Sequence, residues 1–182
     1  MSLTRSIKVV MMGEVGVGKT SVATRLVRDQ FCEFQDSTIG AAFFHLERDD
    51  TSVEIWDTAG QERYRSLVPM YVRGAGALVL VVDVKDPRSL TTLMEPWRHM
   101  LPHDCVVVVV RNKADLLKGA PPTDFVDDEH ELTIEPILAS AKTGEGCEEL
   151  LTTILSLASP IVHHPNITTL ESPSAAADKR CC

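Results

Sequence analysis

A glycine-rich stretch near the N-terminus carries the clearest chemical signal in this chain. Residues 13–20 read GEVGVGKT and match G-x-x-x-x-G-K-[ST], the pattern of a phosphate-binding loop. Such a loop points backbone N–H groups at anionic oxygens, and the helix that follows directs its positive dipole end at them. The pattern assigns Lys19 to the β- and γ-phosphates and the Thr20 hydroxyl to Mg²⁺. The other loop contacts are assigned to Gly13, Val15, Gly16, Val17, Gly18 and Ser21.

A second motif begins at Asp57, where the alternating run at 53–57 ends. A carboxylate at a strand end beside a phosphate-binding loop is suited to hold Mg²⁺. Gly60 can offer its N–H to a γ-phosphate because it has no side chain to block the approach. Gln61 is uncharged and polar, which makes it the candidate catalytic residue that orients an attacking water. A strand followed by an ordinary turn is the alternative, because D-x-x-G alone is common.

A third motif, NKAD at 112–115, follows the apolar run at 105–110. Ligands bind beyond the carboxyl ends of strands in open α/β sheets. Guanine presents N1–H and an exocyclic amine side by side, and the Asp115 carboxylate can accept both hydrogen bonds, whereas adenine has no matching pair. Asn112 and Lys113 belong to the same motif. A second loop, formed by Ser140, Ala141 and Lys142, can supply a backbone N–H to the guanine O6.

Apolar runs alternate with helical patterns along the chain, which predicts an α/β fold around a mostly parallel sheet. The pattern predicts six strands, near 6–12, 42–47, 52–57, 77–83, 105–111 and 134–139. The second and third strands are close enough to form an antiparallel hairpin around 48–51. Helices are predicted over 19–29, 88–101 and 146–158, and the weaker pattern at 121–132 can hold a short helix after Thr123. Trp97 lies in an apolar stripe that predicts core packing.

The composition limits the class of protein. The chain has 182 residues, of which 44% are hydrophobic, so one domain with a full core is expected. The apolar runs are too short to span a bilayer, and Arg5 and Lys8 interrupt any signal-peptide core, which predicts a cytosolic monomer. The net charge of −8 argues against nucleic-acid binding. The odd number of cysteines without metal-ligand spacing predicts reduced thiols in the body of the chain.

In this order the motifs resemble those of the Ras superfamily of small GTPases, and specifically the Rab branch. The resemblance covers roughly 6–158. The segments QFCEFQDSTIGAAF at 30–43 and WDTAGQERY at 56–64 look like the early-endosomal Rab subgroup. The implied fold is a P-loop small G domain with a six-stranded sheet, one antiparallel strand and about five helices. The domain is predicted over 1–159.

The resemblance also implies roles for residues and cofactors. GTP or GDP binds with Mg²⁺; Thr38 in switch I would bind Mg²⁺ and sense the γ-phosphate, and Phe31 would pack against the guanine. Phe43, Trp56 and Tyr71 match the aromatic triad that Rabs present to effectors. The implied activity is a slow GTPase that acts as a switch in vesicular and endosomal traffic. An exchange factor, a GTPase-activating protein, an escort or GDP-dissociation inhibitor and effectors are the implied partners.

The tail predicted for 160–182 is rich in Pro, Ser and Ala and ends in Cys181 and Cys182. It is predicted to be disordered. Two terminal cysteines resemble the Rab double-prenylation signal, and two lipids anchor stably where one anchors weakly. The implied location is the cytoplasmic face of early-endosomal or related endocytic membranes, with cycling through the cytosol.

The chain departs from the Rab pattern at several positions. Val15 stands where the family usually has Gly or Ser, which predicts slow hydrolysis and a bias toward the GTP-bound state. The hairpin between Phe43 and Trp56 is short, Arg111 replaces a small residue, and the segment 116–133 is trimmed. These features leave a second reading, a hydrolysis-impaired, GTP-locked scaffold. A P-loop ATPase or kinase is a third reading, against which Asp115 argues.

Overall fold

The computed structural model describes residues 5–86, 88, 92, 95–97, 105–118 and 134–160. Within these residues one sheet of six strands forms, in the order β2-β3-β1-β4-β5-β6. The strands are β1 (Arg5–Met12), β2 (Ala41–Arg48), β3 (Thr51–Thr58), β4 (Ala77–Asp83), β5 (Val106–Asn112) and β6 (Ile137–Leu138). The predicted six-stranded α/β fold is confirmed.

Only the β2–β3 pair is antiparallel within this sheet; β1 pairs in parallel with β3 and β4, and β4, β5 and β6 continue the parallel arrangement. The carboxyl ends of the five parallel strands therefore meet at one edge. The loops that follow β1, β3, β5 and β6 carry the predicted chemical motifs. The topology alone thus brings four distant sequence segments to the same edge.

The β2–β3 hairpin closes through a two-residue turn at Asp49 and Asp50. Both residues adopt left-handed backbone angles, with φ of 48° and 59°. This is the pattern of a type I′ turn, whose twist matches that of the flanking strands. Arg48 pairs with Thr51, and the same register places Phe43 opposite Trp56. The predicted hairpin at 48–51 is confirmed, and its shortness follows from the two-residue turn.

Three α-helices occur in the described residues: α1 (Lys19–Arg28), α2 (Val68–Val72) and α3 (Cys147–Leu157). Short 3₁₀ helices cover Glu62–Leu67 and Ala114–Leu117. The predictions for α1 and α3 are correct to within a residue at each end. The pattern gave no sign of α2, because five residues are too few to show helical periodicity. None of the described helices is long and apolar enough to cross a membrane.

The strand predicted at 134–139 is too long. Only Ile137 and Leu138 pair with β5, opposite Val110 and Arg111. Pro136 directly precedes the paired residues and has no backbone N–H to donate to a neighbouring strand, so the pairing begins only after it. Most of the predicted helix 88–101, the segment 121–132 and residues 161–182 lie outside the described residues.

The core has two layers because the central strands are covered on both faces. On one face Ile7, Val9 and Met11 of β1 pack in a cluster with residues of α1 and α3. On the other face Val10 and Met12 join a cluster that includes residues of α2 and Trp97. A strand buried on both sides is continuously apolar rather than alternating, as the second half of β1 and most of β4 are. The predicted core position of Trp97 is confirmed, since only 3% of the residue is exposed.

Candidate nucleotide-binding site

The glycine-rich loop connects β1 to α1 and is packed against the base-reading motif. Gly18 has φ of 96°, and a Cβ at this position would lie 2.3 Å from the Asn112 amide nitrogen. A side chain at residue 18 would therefore meet both unfavourable backbone angles and a steric clash. Asn112 also donates a hydrogen bond from Nδ2 to the Val17 carbonyl at 2.9 Å. The phosphate loop and the end of β5 are thus held together as one unit.

Lys19 begins α1 and is almost fully buried, with 6% of the residue exposed. Its Nζ donates a hydrogen bond to the Glu14 carbonyl at 2.7 Å, so the side chain folds back over the loop. Burial lowers the pKa of Lys19, while the charges of Asp57 and Glu14 raise it. A cation that has already lost part of its hydration is well suited to contact phosphate oxygens.

Three oxygen-bearing side chains meet beside the loop: Thr20 of α1, Thr38 from the segment before β2, and Asp57 of β3. Thr20 Oγ1 donates to Asp57 Oδ2 at 2.6 Å, Thr38 Oγ1 donates to the same oxygen at 3.0 Å, and the two hydroxyl oxygens lie 2.9 Å apart. Burial raises the pKa of Asp57, and the two threonine hydrogen bonds and the Lys19 charge oppose this shift. The sequence placed these three residues in one site from three separate segments.

This oxygen cluster fits Mg²⁺. The other carboxylate oxygen of Asp57, Oδ1, is buried and has no hydrogen-bond partner among the described residues. A buried carboxylate oxygen without a partner is costly, and a hard divalent cation satisfies it. Two hydroxyls and one carboxylate, with waters and substrate phosphates, match the ligands that Mg²⁺ uses in nucleotide sites.

The γ-phosphate side of the loop is closed by Gly60. A Cβ on Gly60 would lie 2.5 Å from Lys19 Nζ and 2.5 Å from the Glu14 carbonyl carbon. The backbone here can approach the phosphate loop only because it carries no side chain. Gln61 follows at the cleft wall, and Val15 lines the same cleft with 56% of the residue exposed.

The base-reading end is a network around Asn112 and Asp115. The Ala141 N–H donates to Asn112 Oδ1 at 3.1 Å, and Ser140 Oγ donates to Asp115 Oδ1 at 2.6 Å. Lys113 bonds to Asp83 of β4 through Nζ at 2.8 Å. Asn112 therefore links the loops around the cleft. Asp115 is oriented by its serine partner, and both of its oxygens keep acceptor sites for a ligand.

The motifs surround a single continuous cleft of about 370 Å³, within the usual size of a small-molecule site. The predicted residues that line it are Val15, Gly16, Gly18, Lys19, Thr20, Ser21, Phe31, Thr38, Gly60, Gln61, Asn112, Lys113, Asp115, Ala141 and Lys142. Four other predicted residues do not line the cleft and instead support the residues that line it: Gly13, Val17, Asp57 and Ser140.

Six further residues line the cleft that the motifs did not assign to it: Cys32, Glu33, Gln35, Asp36, Ser37 and Leu116. Five of them lie in the segment between Phe31 and Thr38, and both ends of this segment were assigned. These five residues could therefore have been predicted to line the cleft from their position between Phe31 and Thr38, but not from their residue types. Leu116 directly follows Asp115, and an apolar residue there gives no chemical signal of its own.

The predicted aromatic triad forms a contiguous group away from the cleft. The rings of Phe43 and Trp56 lie 5.2 Å apart at an interplanar angle of 65°, and Trp56 and Tyr71 lie 5.7 Å apart. Phe43 is exposed, and Lys8 lies over the Trp56 ring at 5.5 Å. One residue of the triad comes from each of β2, β3 and α2. The predicted lipidation residues Cys181 and Cys182 lie outside the described residues.

Comparison with known proteins agrees with this geometry. The family model described as the Ras family matches residues 8–159, which include every motif at the cleft. The chain belongs to the Ras family. Ras-family GTPases bind GTP and GDP with Mg²⁺, and this chain is a small GTP-hydrolysing enzyme of that family.

Among the relatives of this Ras-family GTPase are several Rab proteins. It is 40% identical to the Ras-related protein RABF2b of Arabidopsis thaliana, over 96% of this chain and 94% of the relative. It is 47% identical to the Ras-related protein Rab5A of Oryza sativa subsp. japonica, over 63% of this chain and 60% of the relative. It is 38% identical to the GTP-binding protein ypt5 of Schizosaccharomyces pombe, over 81% of this chain and 75% of the relative. These similarities confirm the predicted Rab type, in the early-endosomal subgroup.

Proposed function

We propose that this Rab GTPase is a switch of endosomal membrane traffic whose two sensing residues are Thr38 and Gly60. One observation carries the proposal: these residues come from separate loops, both line the cleft beside the phosphate loop, and each is followed along the chain by an element that carries a residue of the aromatic triad. Thr38 precedes β2, which carries Phe43, and Gly60 precedes the segment that carries Tyr71. A change at the phosphate end can therefore alter the triad surface.

The proposed binding roles follow the two ends of the cleft. The glycine loop and Lys19 hold the phosphates, Thr20 and Asp57 hold Mg²⁺, and Thr38 joins them when a γ-phosphate is present. Asp115 accepts hydrogen bonds from the guanine ring, with Phe31 against its face. Binding at both ends at once selects a guanine nucleotide over a free phosphate or an adenine nucleotide.

The chemical step is attack of a water oxygen on the γ-phosphorus. The bond between the γ-phosphorus and the β–γ bridging oxygen breaks, GDP is the leaving group, and the proton lost by the water goes to the released phosphate. Gln61 orients the water, and Lys19 and the Gly60 N–H stabilise charge on the γ-phosphate oxygens. Bound Mg²⁺ would neutralise the negative charge that develops on the phosphate oxygens. Thr38 and Gly60 lose their shared partner once the γ-phosphate has left, and both switch segments relax.

Regulation by other proteins is part of the proposal. An exchange factor releases GDP, and a GTPase-activating protein supplies an arginine that raises the rate by about 10³–10⁵-fold. Effectors bind the triad surface in the GTP state. The exposed ring of Phe43 supports this role, because an exposed aromatic beside two others is typical of an interaction surface.

Residues 1–159 form the GTPase domain in this proposal, and 160–182 form a tail that attaches to membranes through prenyl groups on Cys181 and Cys182. Two lipids are needed for stable attachment, so each cysteine should matter. Cell fractionation of Cys181→Ser, Cys182→Ser and the double variant tests this directly. The double variant should be wholly in the soluble fraction, and Cys105→Ser, at a cysteine that does not line the cleft, is the matched control. A double variant that stays bound to membranes would rule out the prenyl anchor.

The switch itself is tested by hydrogen exchange. The full chain is loaded with GDP or with a non-hydrolysable GTP analogue, and exchange is compared peptide by peptide. Segments 35–43 and 60–72 should be more protected with the analogue, and Thr38→Ala should remove the difference at 35–43 while Thr38→Ser keeps it. Identical exchange in both nucleotide states would exclude a switch.

A further inference from the structure

We propose that Arg25 of α1 is a positioning residue for guanine recognition, a role that rests on the nucleotide function proposed above. Only 14% of its side chain is exposed, although arginine usually stays at the surface. It does not line the cleft. All three nitrogens of the guanidinium donate hydrogen bonds: Nε and Nη2 to the loop behind the base-reading end, and Nη1 to Asp29 at the end of α1.

Two of these hydrogen bonds reach the loop that follows β6. Arg25 Nε donates to the Ala141 carbonyl at 2.8 Å, and Nη2 donates to the Lys142 carbonyl at 2.9 Å. In a trans peptide the C=O and the next N–H point in opposite directions. Because the Ala141 carbonyl points at Arg25, the Lys142 N–H points away from it. The guanidinium therefore fixes which way the donors of this loop face.

The same reasoning leads from Arg25 to the carboxylate that reads the base. The Lys142 carbonyl is held by Arg25, so the Thr143 N–H on the other side of that peptide points away and donates to Ser140 Oγ at 3.2 Å. Ser140 Oγ in turn donates to Asp115 Oδ1 at 2.6 Å. A continuous set of hydrogen bonds thus connects the guanidinium to Asp115.

The third nitrogen holds the end of α1, from which the chain continues to the cleft. Arg25 Nη1 donates to the backbone carbonyl of Asp29 at 2.9 Å and to its carboxylate at 2.8 Å. Asp29 ends α1 in a left-handed conformation with φ of 52°, and its N–H bonds to the Arg25 carbonyl. The chain then continues to Phe31 at the cleft. One side chain therefore sets both the loop carrying Ala141 and the start of the segment carrying Phe31.

A lysine cannot replace this arrangement. The planar guanidinium forms hydrogen bonds in several fixed directions at once, whereas an ammonium is a compact charge on a flexible stem. Arg25→Lys keeps the charge and the helix but loses the simultaneous contacts. We expect GDP to dissociate about tenfold faster, as is typical when an outer partner that orients a binding group is lost.

The test compares two nucleotides that differ only in the base. Inosine diphosphate lacks the exocyclic amine of guanine, so it makes fewer contacts with Asp115. Dissociation rates of fluorescent GDP and inosine diphosphate are measured for wild type, Arg25→Lys and Arg25→Met with saturating Mg²⁺. If Arg25 positions Asp115, the rate should rise more for GDP than for inosine diphosphate, so that discrimination between them falls.

Arg28→Lys is the matched control, because Arg28 lies on the same helix with its guanidinium over the Phe44 ring at 5.9 Å and should give wild-type discrimination. Equal acceleration of both nucleotides in Arg25→Lys, or no acceleration, would overturn the inference. Should Arg25→Met fail to fold by circular dichroism, Arg25→Lys alone decides. A wild-type chain that retains neither nucleotide would instead defeat the proposed function.

Discussion

Ser140 donates a hydrogen bond from its hydroxyl to the Asp115 carboxylate at 2.6 Å, across the end of the sheet between β6 and β5. Ser140 is fully buried and also accepts a hydrogen bond from the Thr143 N–H. The serine uses one of about four acceptor sites of the carboxylate, so both of its oxygens can still accept a hydrogen bond from a ligand. Asp115 is set in place before any base arrives, which favours recognition by a fixed pair of acceptors.

Asp115→Asn should change which base the protein prefers. An amide offers donors where guanine also offers donors, so affinity for GTP should fall about 10–100-fold, the loss expected when a hydrogen bond to a charged group is removed. Xanthosine triphosphate carries an oxygen at that position and should bind better. Competition binding with both nucleotides measures the shift, and Asp49→Asn in the hairpin turn is the control. Unchanged preference would argue that Asp115 does not read the base.

Val15→Ser should increase the rate of GTP hydrolysis. The exposed valine shares the cleft wall with Gln61. We expect its branched side chain to occupy space that the catalytic water and an incoming arginine would use. We expect an increase of about tenfold, equivalent to about 1.4 kcal/mol of barrier. Single-turnover phosphate release, with and without an activating protein, gives the rates. Equal rates in the two proteins would show that Val15 does not slow hydrolysis. No turnover in either protein would favour the GTP-locked scaffold.

Asp50→Gly should stabilise the fold. Asp49 and Asp50 both hold positive φ in the β2–β3 turn, where residues other than glycine are strained. Relief of that strain is partly offset by the greater freedom of glycine in the unfolded chain, which leaves a gain of about 0.5 kcal/mol. Urea unfolding with excess GDP measures it, with Asp50→Ala as the comparison that should lose stability. A lower midpoint for the glycine variant would contradict the type I′ assignment.

The three cysteines of the described residues should react with iodoacetamide at very different rates. Burial raises the pKa of Cys105 to about 12, and burial also raises the pKa of Cys147. At pH 8 a thiol with that pKa is roughly one part in ten thousand thiolate, which is the reactive form. Cys32 is exposed and should be modified first, as peptide mass spectrometry would show. Similar rates in the native protein would contradict this, whereas similar rates in urea are expected.

Much of the site was predictable because each motif directly follows a strand. The apolar runs located β1, β3 and β5, and parallel topology required their carboxyl ends to meet at one edge. Asp57 and Asp115 could therefore be placed together on the basis of position alone. The turn at 49–50 was equally visible, because two polar residues separate two runs of strand-forming residues.

The remaining features depend on contacts that residue types do not reveal. Helix α2 is too short to show periodicity. The shortness of β6 is an exception, because Pro136 stands directly before its paired residues in the sequence. The lining of the cleft by Cys32 follows from the path of the chain after α1. Arg25 gave no signal either, because a single arginine on an amphipathic helix looks like any solvated charge until its carbonyl partners are known.

The central claim is that a glycine-lined phosphate site and Asp115 together hold a guanine nucleotide with Mg²⁺. The most direct measurement is chromatographic and mass-spectrometric analysis of nucleotide released from the gently purified full chain. We predict close to one equivalent of GDP or GTP, lost on treatment with a Mg²⁺ chelator and restored by GDP with Mg²⁺ but not by ADP. A chain that carries no guanine nucleotide and takes up none with Mg²⁺ would contradict the account.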